Sequence, residues 1–310
     1  MRFIKPQAEL WKQGRTIDEI WNHVARCAKV CYQTETKEHE NSKEFINRVI
    51  LKRNSYTQIA NDRRLQERLH LSVLEHGTIY LYIKNTDVNY LDIIRFYSDN
   101  KYSIVNFSRD IDNHTEIYIT TNLRVLIENC RMKDLMYISP CTSIHESRYT
   151  ICITMNIGGI RDTNRHRVQS ISEESTRYCS YDKDKFARQI TYAKLPWISD
   201  DEYNIASVTD AEFMTNDIIN AQDTEKWNAV DWYLYICQMT EIAYRKLKQL
   251  GWSAQQCSNI LNFSTKTQSV HTASATEWKH YIRLRKYEVS GKVRPEVKEI
   301  AEQIGKIINY

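Results

Sequence analysis

Seven glycines in 310 residues constrain this chain more than any other feature of its sequence. A loop that cradles phosphate with backbone N–H groups needs glycine, because the chain must pass close to the anion and turn sharply. No GxGxxG run and no GxxxxGK(S/T) run occurs, which argues against a Rossmann dinucleotide domain and a P-loop nucleotidase. A phosphorylated ligand must then be held by side chains, with arginine the best suited to a forked, charge-assisted contact. The balance of Lys+Arg 43 against Asp+Glu 39, a net +4, is too small an excess to point to nucleic acid or a membrane surface. Eight cysteines without a CxxC pair read as scattered reduced thiols of a cytosolic protein. The N-terminus has no apolar signal core, and no stretch approaches the ~20 apolar residues of a membrane span. A cytoplasmic location follows as the expectation, in a bacterial cell or a phage-infected host.

The hydrophobic pattern predicts an α+β fold, a central sheet flanked by helices that cluster at both ends of the chain. Thr16 and Glu19 form a T-x-x-E capping box before a helix over 16–32, with Ile17, Ile20, Trp21 and Val24 on one face. TIYLYI (78–83) and YTICITMNI (149–157) read as strands. Between them, EIYITTNLRVLIENC (116–130) suggests a strand turning into a short helix, so 84–148 is structured rather than a linker. A helix over 226–250 places Ile236, Met239, Ala243, Leu247 and Leu250 on its apolar face, before Gly251. Further helices are expected over 275–287 and from Pro295, the last burying Val297, Ile300, Ala301 and Ile304.

The most unusual segment is RDTNRHRVQSISEESTRYCSY, residues 161–181. If the chain is extended after Ser172, then Glu173, Ser175 and Arg177 share one face and offer a carboxylate, a hydroxyl and a guanidinium. That set suits a nucleotide with its phosphate, and the consecutive Arg165-His166-Arg167 suits a second anion such as a pyrophosphate. A plain surface ion pair between Glu173 and Arg177 beside a solvated basic patch is the competing interpretation of the same residues.

This segment resembles the signature of the flavin-dependent thymidylate synthases, RHRxxSxNExSxRY, met here at Arg165, His166, Arg167, Ser170, Glu173, Ser175, Arg177 and Tyr178. Ser172 stands where the family has Asn. HLSVLEH supplies His70, Ser72, Glu75 and His76 at the positions of the family's H-x-S/T-x-x-E-H element. CAKVCY is a looser counterpart of an AARVS-like run, with Cys31 at the usual serine. TASATEWKHYIRLR sets Thr272, His280, Tyr281 and Arg285 in register with the C-terminal motif, and Glu296 in RPEV is a weak match to an AQ-x-E-I element. The resemblance covers roughly 16–83, 149–198 and 226–305, and implies a single domain over 1–310 in which 84–148 is an insertion between two neighbouring core strands, 78–83 and 149–157. Departures fall at Asp162 for a usual Gln, Ser258 for a phosphate-binding Arg, and Ser274 and Thr276 for an Asn and an Arg; Arg161 or an insertion residue would then have to replace the lost phosphate contacts.

The resemblance implies reductive methylation of dUMP to dTMP, with 5,10-methylenetetrahydrofolate as carbon donor and NADPH-reduced FAD as hydride donor. It implies that Ser72, Arg165, His166, Arg167, Glu173, Ser274 and His280 bind FAD, and that Asp162, Arg165, Glu173, Ser175, Arg177 and Arg285 bind dUMP. Arg285 is implied to sit against the uracil, where a fixed cation stabilises charge developing on the ring. It further implies a homotetramer whose flavin sites draw on several subunits, and no metal. Three other classes remain open on the residues alone. Tyrosines and Arg clusters fit a single-stranded nucleic-acid groove. His70, His76 and His166 fit a metallohydrolase, although they lack HExxH spacing. The departures at Ser258 and Thr276 fit an inactive flavin-binding scaffold.

Overall fold

The Thr16 hydroxyl accepts a hydrogen bond from the Glu19 amide at 3.3 Å, and the Glu19 carboxylate accepts from the Thr16 amide at 2.9 Å, so the first helix starts at the predicted capping box. The structure is a computed structural model, and it describes residues 1–32, 36–183, 186–205 and 227–310. Among these residues the helices are α1 (Ile17–Tyr32), α2 (Ser42–Val49), α3 (Tyr56–Asn61), α4 (Arg63–Arg68), α5 (Tyr90–Asp99), α6 (Leu123–Glu128), α7 (Ile157–Thr163), α8 (Asp200–Ile205), α9 (Ala229–Gln249), α10 (Ala254–Cys257), α11 (Ala275–Arg285) and α12 (Pro295–Ile307). The strands are β1 (Arg2–Ile4), β2 (Gln7–Leu10), β3 (Thr78–Lys84), β4 (Ile104–Arg109), β5 (Thr115–Asn122), β6 (Arg148–Asn156), β7 (Ser170–Glu173), β8 (Thr191–Ala193) and β9 (Lys266–Ser274).

The α+β class holds, with the strands divided among three sheets ordered β2-β6-β9-β7, β3-β5-β4 and β1-β8. β6 runs through the middle of the largest sheet, antiparallel to β2 and β9. Thr150, Cys152 and Thr154 alternate along it with Ile151, Ile153 and Met155, and both faces are buried. The expectation that 78–83 and 149–157 are neighbours is not met. β3 pairs along its whole length with β5, whose residues lie in 84–148, and β6 takes β2 and β9 instead. Ile79 and Leu81 of β3 join Ile117, Ile119 and Leu123 in one apolar cluster with Ile20, Trp21 and Val24 of α1.

A second cluster places the C-terminal helices. Ile151, Ile153 and Met155 of β6 pack on Trp278, Tyr281 and Ile282 of α11 and on Val297, Ile300, Ala301 and Ile304 of α12. The α12 face is the one that the three-and-four spacing predicts. On α9 the predicted face is rotated. Leu234, Cys237, Thr240, Glu241 and Tyr244 are buried, whereas Ile236 and Leu250 are 52% and 67% exposed. The physical reason is that Glu241 is drawn inward by the N-terminal ammonium at 3.1 Å and by the Ile190 amide at 3.0 Å, so a polar residue lies on the packed side. All eight cysteines are free thiols. No described helix is long and apolar enough to cross a membrane.

Buried imidazoles stitch these layers together. His23 of α1 meets the Thr150 hydroxyl at 3.0 Å, Thr150 meets Thr272 at 2.7 Å, and Thr272 meets His76 Nδ1 at 2.8 Å. The other nitrogen of His76 reaches the Ser172 hydroxyl at 2.9 Å. Burial holds these rings neutral, lowering His23 to about 4 and His271 to about 3, and His76 well below the usual range. An unfolded chain protonates each near pH ~6.5. Between that value and about 4 the unfolded chain binds more protons at His23 than the folded one, so stability rises with pH through this window. The contribution is therefore complete above pH ~6.5 and is lost on acidification. We expect the melting temperature to fall from pH 7 to pH 5, and His23→Gln to flatten the slope of unfolding free energy by up to ~1.4 kcal/mol per pH unit. Chemical denaturation across that range measures it, and an unchanged slope would contradict the account.

Candidate active site

β6 ends at Asn156, whose side chain caps α7 by accepting the Gly159 amide at 2.5 Å. Seven residues of helix then deliver the chain to the loop that carries Arg165, His166 and Arg167, before β7 returns to pair with β9. On α11, burial of Trp278, Tyr281 and Ile282 turns Lys279, His280 and Arg283 away from the core. Loop and helix face each other across a cleft of about 980 Å3. The turn Ser290–Lys292, with Val293 and Tyr310, completes its wall, and Gly291 there takes φ +124°, a backbone angle that side-chain-bearing residues rarely adopt.

The cleft is strongly cationic. Arg165, Arg167, Lys279, Arg283, Arg285 and Lys292 line it, against the single carboxylate of Glu277. Sequence reasoning missed Lys279, Arg283 and Lys292. The signal for Lys279 and Arg283 was present in KHYIRLR, where basic residues four apart share the helix face opposite the buried aromatics, whereas Lys292 lies in the turn beyond the helix. His166 and Arg285 are the fixed elements. Arg285 Nε donates to His166 Nε2 at 3.1 Å, and its Nη2 donates to the Asp162 carbonyl at 3.0 Å. His166 is 8% exposed and packs edge-on against Tyr281 at 4.8 Å. Burial first, then the positive Arg285 and His280, lower its imidazole to about 4. Arg285 ends α11, yet its guanidinium bonds to another segment rather than to the last carbonyls of its own helix.

Asp162 holds Arg285 with its carbonyl, while its carboxylate pairs with Arg294 at 3.2 Å. His280 lines the cleft and lies edge-on to His166 at 6.1 Å. Ser274 precedes this wall as the N-cap of α11, accepting from the Glu277 amide at 3.1 Å. Ser72 is exposed on a 3-10 turn over Leu71–His76. Neither serine lines the cleft.

Glu173, Ser175 and Arg177 lie beyond the cleft lining and do not form one extended face. β7 stops at Glu173, and the Tyr178 and Cys179 amides both bond to the Ser175 carbonyl, at 3.2 and 3.0 Å, in a turn. Glu174 is buried and pairs with Lys266 at 2.5 Å, and its amide still bonds to the Gln268 carbonyl of β9 at 2.8 Å, so the chain turns away only after it. Glu173 still communicates with the loop, because Asn164 donates to its carboxylate at 2.8 Å and Thr267 at 3.3 Å. Burial raises the Glu173 carboxyl above its ordinary range, with those two bonds working against the shift. Arg177 is exposed and reaches Gln255 at 3.4 Å; Ser258, on the same short turn, donates to the Gln255 carbonyl at 2.8 Å. The ion pair between Glu173 and Arg177 that the sequence left open does not form, since each side chain has these other partners. Glu296 is buried against Asn156 at 3.3 Å and Arg294 at 3.6 Å.

The chain is an α+β fold with a cationic, side-chain-built cleft between a short arginine loop and a C-terminal helix, a donor set whose chemistry suits phosphorylated ligands. The family model described as thymidylate synthase complementing protein matches residues 133–309, more than half of the chain, and the chain belongs to that family, the flavin-dependent thymidylate synthases. Two solved structures of the UMP/dUMP methylase PolB from Streptomyces cacaoi also match. The one bound with 5-Br dUMP is 19% identical over 53% of this chain and 68% of its own, with a TM-score of 0.36. The one bound with 5-Br UMP is 13% identical over 99% of this chain and 91% of its own, with a TM-score of 0.41. No match is found among curated proteins.

The Arg285 contact makes a specific spectroscopic prediction. Because Nε2 of His166 accepts the bond, the ring carries its proton on Nδ1. Long-range 1H–15N spectra should report that tautomer at neutral pH. In Arg285→Met the imidazole should titrate at higher pH than in the wild type, since a neighbouring cation is gone. An Nε2–H tautomer, or an unshifted titration, would mean that the contact is not formed in solution.

Proposed function

We propose that this chain is itself a flavin-dependent thymidylate synthase, converting dUMP to dTMP with 5,10-methylenetetrahydrofolate as carbon donor and NADPH-reduced FAD as hydride donor. The observation that carries this is the coupling of the Arg165-His166-Arg167 loop to Arg285, within a family defined by flavin dependence. The donor set fits the cofactor. With six cations and one carboxylate in its lining, the cleft suits a pyrophosphate and needs no glycine loop to hold it.

FAD, when bound, supplies the hydride that makes the transferred methylene a methyl. The protein supplies binding, orientation and electrostatics. Arg165 and Arg167 would hold the pyrophosphate of the cofactor, and His280 would help to bind its flavin. His166, held neutral, orients Arg285 instead of competing with it for an anion. Arg285 then presents a fixed positive charge to the uracil, favouring electron density that builds on the ring. Glu173 accepts from the nucleotide, with Asn164 and Thr267 steadying its carboxylate. Ser175 and Arg177 bind the rest of dUMP, and Arg161 or a residue of 84–148 takes the phosphate contact absent at Ser258.

We read the position of Ser72, Ser274, Glu173, Ser175 and Arg177 outside the single-chain cleft as the share each subunit gives to sites between subunits of a homotetramer. In this reading 1–310 is one domain carrying the 84–148 segment as an insertion.

Assay of dTMP formation with each component omitted in turn tests the proposal. Product should require dUMP, methylene-tetrahydrofolate, NADPH and FAD together; retained flavin without product would make the chain a binding scaffold. Arg285→Lys should keep its melting temperature within a few degrees and lose most turnover, because lysine lacks the fork that spans two acceptors or a ring edge. Near-normal turnover there would remove Arg285 from the chemistry. Arg177→Ala should keep flavin and weaken dUMP binding by roughly 1.5–3 kcal/mol in calorimetry. Unaltered affinity would reject that assignment.

A further inference from the structure

A second cavity, of about 340 Å3, lies apart from the arginine loop, between the connection after β2, the edge of β3 and the segment entering β6. Arg148 lines it. Its Nη1 reaches the Thr78 hydroxyl at 3.3 Å and its Nη2 the Ser170 hydroxyl at 3.4 Å, both long contacts that leave donors of the guanidinium unused. It forms no ion pair with a described carboxylate. Glu75, the carboxylate that acts on it from a distance, is bound to Arg124 at 2.6 Å. The surroundings add positive charge, since Lys12 and Arg15 line the same cavity and no acidic residue does. His23 and His76, the nearby imidazoles, are neutral. Burial draws the Arg148 guanidinium below its ordinary value, as expected for a charge with too little compensation.

A half-buried cation without a counter-charge, facing open space, is a site prepared for an anion. Tyr80 lines the cavity from the same strand face as Thr78, and an aromatic wall favours a planar group. We infer that this cavity binds a small planar organic anion, with its phosphate or carboxylate on Arg148 and its ring against Tyr80. None of its lining residues is shared with the cationic cleft.

Cys141 reports on it, being an exposed thiol that lines the cavity, while Cys130 is exposed and does not. The intact chain is alkylated with iodoacetamide, and modification at each cysteine is followed by peptide mass spectrometry. Phenyl phosphate, benzoate and phenol serve as probes. At saturating concentration one or both anions should slow Cys141 by at least about fivefold and leave Cys130 unchanged, phenol should do neither, and the stronger anion tells phosphate from carboxylate. Arg148→Met should abolish the protection. Should that variant fail to fold, Lys12→Ala/Arg15→Ala must weaken protection at fixed probe concentration, and full protection in it would overturn the proposal. So would a Cys141 rate that neither anion changes, or protection that persists in Arg148→Met.

Discussion

Arg285 ends α11 with its guanidinium turned onto the segment 162–166, where Nε meets His166 at 3.1 Å and Nη2 meets the Asp162 carbonyl at 3.0 Å. That pair of bonds fixes the arginine loop relative to the C-terminal helix. It forms only because α11 is already oriented by Trp278, Tyr281 and Ile282 packing on β6. It also requires a neutral imidazole, which burial supplies. Core packing, a desolvated histidine and a forked cation are thus successive conditions for one geometry.

The elements that read correctly from the sequence are those governed by local patterns. The capping box at Thr16, the face of α12 and the strand-to-helix change at 116–130 each follow from residues within a few positions of one another. The misreadings have long-range causes. The buried side of α9 is decided by Glu241 meeting the chain's N-terminus, and no apolar periodicity encodes that contact. β3 finds β5 rather than β6 because strand pairing is set by tertiary fit, which a strand's own composition does not carry.

The candidate site was legible in part for the same reasons. The arginine triplet stands out as residue types in unusual density, Arg285 is named only through the family resemblance, and the fold brings them together. The charge of the cleft could not be judged from the whole-chain excess of +4, since a near-balanced total conceals a local set of six cations. The scarcity of glycine proved informative at the level of mechanism. It excluded backbone cradles, and the cleft is walled by long cationic side chains with Gly291 alone providing a glycine turn.

The central claim is that these side chains, in place of a glycine loop, hold a flavin. The most direct measurement is the visible absorbance of the purified chain beside that of Arg167→Ala at equal protein concentration. The account predicts a flavin band in the wild type, released as FAD on denaturation, and a folded Arg167→Ala protein that carries much less of it. A wild type that neither retains nor takes up FAD, or full flavin occupancy in Arg167→Ala, would contradict it.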